Sequence, residues 1–161
     1  MSIKKASHKG CEKIRYFIEL GLDPNFESNL LIKYAFKNEN TSFICYLSDL
    51  LTDCDFALEL SVKYHNHTAF RHLIKKFDTI DFKKLVQLAA ETKLSSHYNN
   101  SKYIIIEHLI NNDPEFKQIN KNKKLLKNFI NEVLYNIKKN GDDKIIKNYL
   151  KDVRRTITKS S

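Results

Sequence analysis

Asn29-Leu30-Leu31-Ile32-Lys33-Tyr34-Ala35 and Asp55-Phe56-Ala57-Leu58-Glu59-Leu60-Ser61 lie at an offset of 26 along the chain and share one pattern. Each opens on a polar residue, continues through an apolar turn and carries a small residue at its seventh position. The same offset sets Ile44 on Phe70, Leu47 on Leu73 and Leu51 on Phe77. A further offset of 28 places Leu85-Val86-Gln87-Leu88-Ala89 beneath Ala57 to Ser61. The partner segment of that unit matches only after eight inserted residues, so Leu109-Ile110 lies 36 beyond Leu73-Ile74. Ala35, Ser61 and Ala89 recur late in the first segment of each unit, where a small side chain lets two helices approach closely. Self-similarity at this spacing is the signature of helix pairs that bury their apolar faces against the next pair.

Elsewhere in the chain, apolar residues recur at three- and four-residue steps, the period of a helix face. Ile14, Phe17 and Ile18 form one stripe. Leu125, Leu126, Phe129, Ile130, Val133 and Leu134 form another, and Ile145, Ile146, Tyr149 and Leu150 a last one. Most segments are short enough to be marginal as isolated helices in water, so packing must hold them. Helix caps are expected from Thr41 or Ser42, Asp55, Asp81, Ser101, and Asp142 or Asp143. Gly21, with Pro24 just beyond, is placed to end the first long helix in a left-handed conformation. The chain has 161 residues with 3 Gly and 2 Pro, too few turn formers for a β-sandwich and too few glycines for a phosphate-cradling loop. The expected class is all-α.

Lys13-Ile14-Arg15-Tyr16-Phe17-Ile18-Glu19-Leu20-Gly21-Leu22-Asp23-Pro24-Asn25 resembles the second helix and exit loop of an ankyrin repeat, an apolar helix followed by Gly-Ala-Asp-Pro-Asn. Ala6-Ser7-His8-Lys9-Gly10 is similar to that family's end of helix one and its turn, and Leu31 to Ala35 fits the first helix of the next unit. The resemblance covers residues 6–112 and implies a short solenoid of stacked helix-turn-helix units, about 1–25, 26–53, 54–79 and 80–116. A basic capping pair with the C-terminal tail would fill 117–161. The family's Thr-Pro-Leu-His turn is replaced by Asn29-Leu30-Leu31-Ile32. The finger between units shrinks to Phe26-Glu27-Ser28, and the periods fall below the usual value of about 33. Divergent arrays of this Lys-, Asn- and Ile-rich kind resemble those of large DNA viruses. The function implied is non-enzymatic protein–protein interaction, a viral adaptor binding a host protein. Its concave face would be lined by Lys33, Lys37, Glu59, Lys63, Gln87 and Glu91. Tyr98, in the inserted stretch Leu94–Asn100, is a candidate loop contact.

Charge is uneven. Residues 1–80 carry 11 basic and 10 acidic side chains, whereas from Lys117 onward there are 13 and 4. The alternative function is therefore nucleic-acid binding through Lys121, Lys123, Lys124, Lys127, Lys138, Lys139, Lys144, Lys147, Arg154 and Arg155. A solvated terminal helix pair would show the same bias.

Little in the sequence points to chemistry. Cys11, Cys45 and Cys54 form no CxxC pair and are odd in number, as expected of a reducing compartment. His65-Asn66-His67 is the one tight histidine pair and reads as a surface turn, so no metal or other cofactor is expected. His8 and Cys11 lack a third group to orient them. No apolar run reaches membrane-spanning length and no leader follows the basic N-terminus, so a cytoplasmic location is expected.

Overall fold

The computed structural model describes residues 3–92, 99–114, 119–140 and 144–159. Among them the protein is all helix, with no strand. In chain order the helices are α1 (Ile3–Glu19), α2 (Phe26–Lys37), α3 (Thr41–Leu50), α4 (Asp55–Lys63), α5 (His67–Leu73), α6 (Phe82–Glu91), α7 (Asn99–Asn112), α8 (Ile119–Asn140) and α9 (Lys144–Lys159). A 3₁₀ turn, Ile74–Lys76, extends α5. The contacts divide the chain into two compact units, Met1–Asp78 and Thr79–Ser161.

In the first unit, α2 and α3 form one antiparallel pair and α4 and α5 another; α2 also packs on α4, and α3 on α5. The two pairs turn in the same way. At the end of α2, Glu39 takes a left-handed φ of 54°, and at the end of α4 its counterpart His65 takes 50°. Glu39 N–H donates to Phe36 O (3.0 Å) and Asn40 N–H to Ala35 O (3.2 Å); His65 N–H donates to Val62 O (3.1 Å) and Asn66 N–H to Ser61 O (2.8 Å). These bonds satisfy carbonyls that a helix end otherwise leaves open. The next residue of each turn, Asn40 or Asn66, then caps the following helix, its Oδ1 accepting from Phe43 N–H or Ala69 N–H at 3.0 Å.

Burial follows the same register. Leu31, Ile32, Ala35 and Phe36 are buried in α2, and Ala57, Leu58, Ser61 and Val62 in α4. Phe43, Ile44 and Leu47 of α3 correspond to Ala69, Phe70 and Leu73 of α5, all buried. Ala35 and Ser61, the small residues at the seventh position of each segment, are fully enclosed. The connecting segments are tied together as well: Thr52 N–H and Oγ1 both lie 3.3 Å from Asn25 Oδ1, and Asn66 Nδ2 donates to Thr41 Oγ1 at 3.0 Å.

Helix α1 differs from its expectation. No turn interrupts it at Ala6–Gly10; the helix runs through Gly10 to Glu19. Gly10 serves close approach, because a Cβ there would sit 2.9 Å from Tyr34 Oη. Gly21 does end the helix, with φ 103° and bonds from Gly21 N–H to Ile18 O and from Leu22 N–H to Phe17 O, both 2.9 Å. Of the apolar stripe expected to be buried, Ile14 and Ile18 are half-buried and Phe17 is exposed beside Tyr16 and Leu20. Among the described side chains of α1, Cys11 is buried and Arg15 lies 4.3 Å over the ring of Tyr46.

In the second unit α6 packs on α7 and α8 on α9, while α6 also touches α8 and α7 touches α9. Leu85, Val86, Ala89 and Ala90 are buried at the offset of 28 from their α4 counterparts, and Ile105, Ile106 and Leu109 lie 36 beyond theirs in α5. Asp81 caps α6, its Oδ1 accepting from Lys84 N–H at 2.9 Å. Ser101 does not cap α7, which already begins at Asn99. The residue 36 beyond the capping Asn66 is Lys102, and it lies inside the helix. Lys102 is buried, and its ammonium donates to Thr92 O at 3.0 Å and reaches Ala90 O at 3.5 Å, closing the C-terminus of α6. A cation there meets the negative end of the helix dipole.

The remaining cap assignments also shift. Thr41, Ser42 and Asp55 are helical residues, and Asn40 and Cys54 precede their helices. The Asp53 carboxylate accepts from Asp55 N–H at 2.8 Å, a local Asx turn that sets the entry to α4. Asp142 and Asp143 lie outside the described residues. The buried stripe of α8 is Leu126, Phe129, Ile130, Val133 and Ile137, which leaves Leu125 62% exposed on an adjacent face. In α9, Ile146, Leu150 and Ile157 are buried and Ile145 is exposed.

Candidate functional site

The register that buries one side of α2 and α4 fixes what the other side displays. Lys33 and Lys37 fall outside the buried set of α2, and their counterparts Glu59 and Lys63 fall outside that of α4. Because α2 and α4 are in contact, these four residues make one ladder of three cations and one anion. Lys33 reaches across it, its ammonium 4.9 Å from the centre of the Phe56 ring. Phe36 and Tyr64 stack at 5.8 Å near the other end of these helices, with Tyr64 partly exposed. Every member is anchored on a helix whose opposite face is fully packed.

In the second unit, Gln87 and Glu91 occupy the matching positions of α6, half-buried and exposed respectively. Gln87 is already engaged: its Nε2 donates to Glu132 Oε1 of α8 at 3.0 Å. Glu132 therefore stands beside Gln87 within the second unit, which spacing did not reveal, because its helix is not offset by 26 or 28. Tyr98 lies outside the described residues.

The second helices carry a separate polar cluster. Asp49 of α3 accepts from Lys76 and lies 3.0 Å from His72 Nε2, and Lys76 also donates to Ser48 O at 3.2 Å. The Lys76 ammonium, with the His72 hydrogen bond, holds the Asp49 carboxyl below its usual range. A lowered carboxyl pKa adds stability above the ordinary carboxylate range, and that contribution disappears as pH falls through the lowered value. On a half-exposed pair it is worth at most about 1 kcal/mol. The cluster ties α3 to the end of α5.

Burial raises the pKa of all three thiols. At Cys11 a hydrogen bond with the Asn40 side chain opposes the rise. Of the two capping asparagines, Asn66 also reaches back to α3 with its amide. His65 is not in a surface turn: it is 3% exposed and occupies the left-handed position after α4. Among the described residues no three His, Cys, Asp or Glu side chains converge as metal ligands.

Of the ten basic residues expected to meet nucleic acid, Lys124, Lys127, Lys138, Lys139, Lys144 and Arg155 are exposed on α8 and α9, and Lys147 and Arg154 are half-exposed. The side chains of Lys121 and Lys123 lie outside the described set. Lys151, also exposed, belongs with them and was legible from its spacing of four from Lys147.

No helix among the described residues is long and apolar enough to cross a membrane. No protein-family model, curated protein or solved structure matches the chain.

Proposed function

We propose that the chain is a stack of ankyrin-like helix pairs closed by α8 and α9, and that it works as a non-enzymatic interaction module. Its binding face is the outward side of the first helices of the first unit, Lys33, Lys37, Glu59 and Lys63; Gln87 and Glu91 hold the corresponding sequence positions within the second unit. The partner is a protein with an acidic surface. The resemblance to divergent viral arrays supplies the physiological setting, an adaptor acting on a host protein in the cytoplasm.

One observation carries this reading. The two helix pairs of the first unit share their turn, their asparagine cap and their buried positions, so their unburied first-helix residues fall into one ladder. In both units the contacts run like with like, first helix to first helix and second to second. A ladder mounted on packed helices has lost its backbone freedom before a partner arrives, which lowers the cost of binding.

The test is affinity capture from a host-cell lysate with the natural chain and with a Lys33→Gln/Lys37→Gln/Lys63→Gln variant, helicity being checked by circular dichroism. A partner retained by the natural chain and lost by the variant is the expected result. Identical capture by both proteins removes this face from the proposal.

A further inference from the structure

The α8–α9 pair has a flank that neither α6 nor α7 covers, and the sequence has filled that flank with cations. Two bonds mark the covered side: Glu132 of α8 faces Gln87 of α6, and Tyr149 of α9 donates to Asn111 of α7 at 3.2 Å. A third bond marks the other side, where Arg154 of α9 donates to Asn131 of α8 at 3.1 Å. With about 3.6 residues per turn, residues at steps of three, four and seven share a face. From Asn131 those steps lead back to Lys127 and Lys124 and forward to Lys138. From Arg154 they lead back through Lys151 and Lys147 to Lys144. Two lysine stripes therefore run side by side along antiparallel helices, joined at Asn131–Arg154.

The acidic residues of these helices are placed off the flank or neutralised. Glu132 points to Gln87, and Asp152 is paired with Arg155 at 3.1 Å. The exposed apolar residues are off it too. Leu125 shares its side of α8 with Glu132, seven positions on, and Ile145 lies on the Tyr149 side of α9, four positions away. Tyr135 stands at the margin as the one strongly exposed aromatic of the pair among the described residues.

From this geometry we infer that the α8–α9 flank binds the phosphate backbone of double-stranded nucleic acid without reading sequence. The stripe from Lys124 to Lys138 is about 21 Å long at about 1.5 Å per residue, and packed helix axes lie about 8–10 Å apart. A duplex presents a charge about every 1.7 Å along its axis, so a flank of this size faces enough phosphates for about four contacts. A protein partner would want an apolar centre within the charged rim, and a membrane surface would want apolar side chains to insert; here Leu134, three positions from Asn131, is half-buried, and only Tyr135 at the margin is strongly exposed. Single strands would want aromatic platforms among the cations, and one marginal Tyr does not provide a row of them. Six of the seven stripe cations are Lys, which suits point-charge contact with phosphate better than the forked bonds that read bases.

The test uses the full chain, a fluorescein-labelled 24-base-pair duplex of arbitrary sequence, and anisotropy between 50 and 200 mM NaCl. Four contacts predict binding at 50 mM that weakens about 100-fold at 200 mM, since the logarithm of affinity falls by about 0.9 per contact for each logarithm of salt. Lys127→Gln/Lys147→Gln/Lys151→Gln should lower affinity at least tenfold and flatten the salt slope, with unchanged helicity. Lys33→Gln/Lys37→Gln/Lys63→Gln should bind duplex normally, so failure here is distinguishable from failure of the adaptor reading. The inference is overturned by no duplex binding at 50 mM, by binding indifferent to the α8–α9 substitutions, by tighter binding of the corresponding single strand, or by preference for phosphatidylserine vesicles over duplex.

Discussion

Replacing Asn66 by Ala removes two bonds that do different work. The first is the cap: Oδ1 accepts from Ala69 N–H at 3.0 Å, and losing such a cap costs about 1 kcal/mol. The second joins two helix pairs: Nδ2 donates to Thr41 Oγ1 at 3.0 Å, a neutral hydrogen bond worth about 1 kcal/mol net. The expected loss is therefore about 2 kcal/mol. Asn66→Ser keeps a capping oxygen but is too short to reach Thr41, and should lose only about half of this. Thr41→Val should cost about 1 kcal/mol alone and almost nothing more in the Asn66→Ala background, a coupling of about 1 kcal/mol. Urea denaturation followed by circular dichroism at 222 nm reads all four proteins, with an unchanged slope as the sign that the unfolded state is the same. A loss below about 0.5 kcal/mol for Asn66→Ala, or strict additivity with Thr41→Val, would refute the claim that this asparagine both caps one pair and fastens it to its neighbour.

Other expectations follow from single positions. Glu39 holds a left-handed φ of 54° with an exposed side chain, so Glu39→Gly should stabilise by about 1 kcal/mol and raise Tm by a few degrees. His65→Gly, at the equivalent backbone position, should destabilise instead, because it empties a buried site. Lys102→Met should cost about 2 kcal/mol in thermal or urea unfolding by stripping Thr92 O of a charged donor; a neutral result would show that the ammonium contributes nothing. Burial, reinforced by Glu107 and Tyr103, pushes the Tyr149 hydroxyl up to about 12. A phenol whose pKa is higher folded than unfolded stabilises fully below the ordinary value of about 10, and the contribution is lost between there and about 12. Absorbance titration at 295 nm should show a late tyrosine that vanishes in Tyr149→Phe.

Periodicity carried most of the fold's design. The offset of 26 already pairs Leu31, Ile32, Ala35 and Phe36 with Ala57, Leu58, Ser61 and Val62, all buried, and the offsets of 28 and 36 do the same for Leu85, Val86, Ala89, Ile105, Ile106 and Leu109. Gly21 and Asp81 were legible for local reasons, a left-handed terminus and an Asx cap. Gly10 misled because glycine serves both turns and close approach, and only the position of Tyr34 decides between them. Thr41 and Ser42 misled because the turn after α2 delivers Asn40 to the capping position first, which frees Thr41 to receive the amide of Asn66. Phe17, Leu125 and Ile145 match their stripes in spacing, yet burial depends on which flanks a neighbour covers. The α2–α4 ladder was readable as the residues left between buried positions. The α8–α9 flank was readable as an excess of Lys, but its division into a cationic side and a packed side needed the Gln87–Glu132 and Asn131–Arg154 bonds.

In the first unit the two helix pairs lie like against like, α2 on α4 and α3 on α5. Nuclear Overhauser contacts on methyl- and aromatic-labelled protein read this arrangement in solution. Cross-peaks are expected between side chains of α2 and α4, such as Ile32 with Leu58, and between α3 and α5, such as Ile44 with Phe70. Cross-peaks linking α2 to α5 and α3 to α4 throughout, with the like pairs silent, would describe an up-and-down bundle and contradict it.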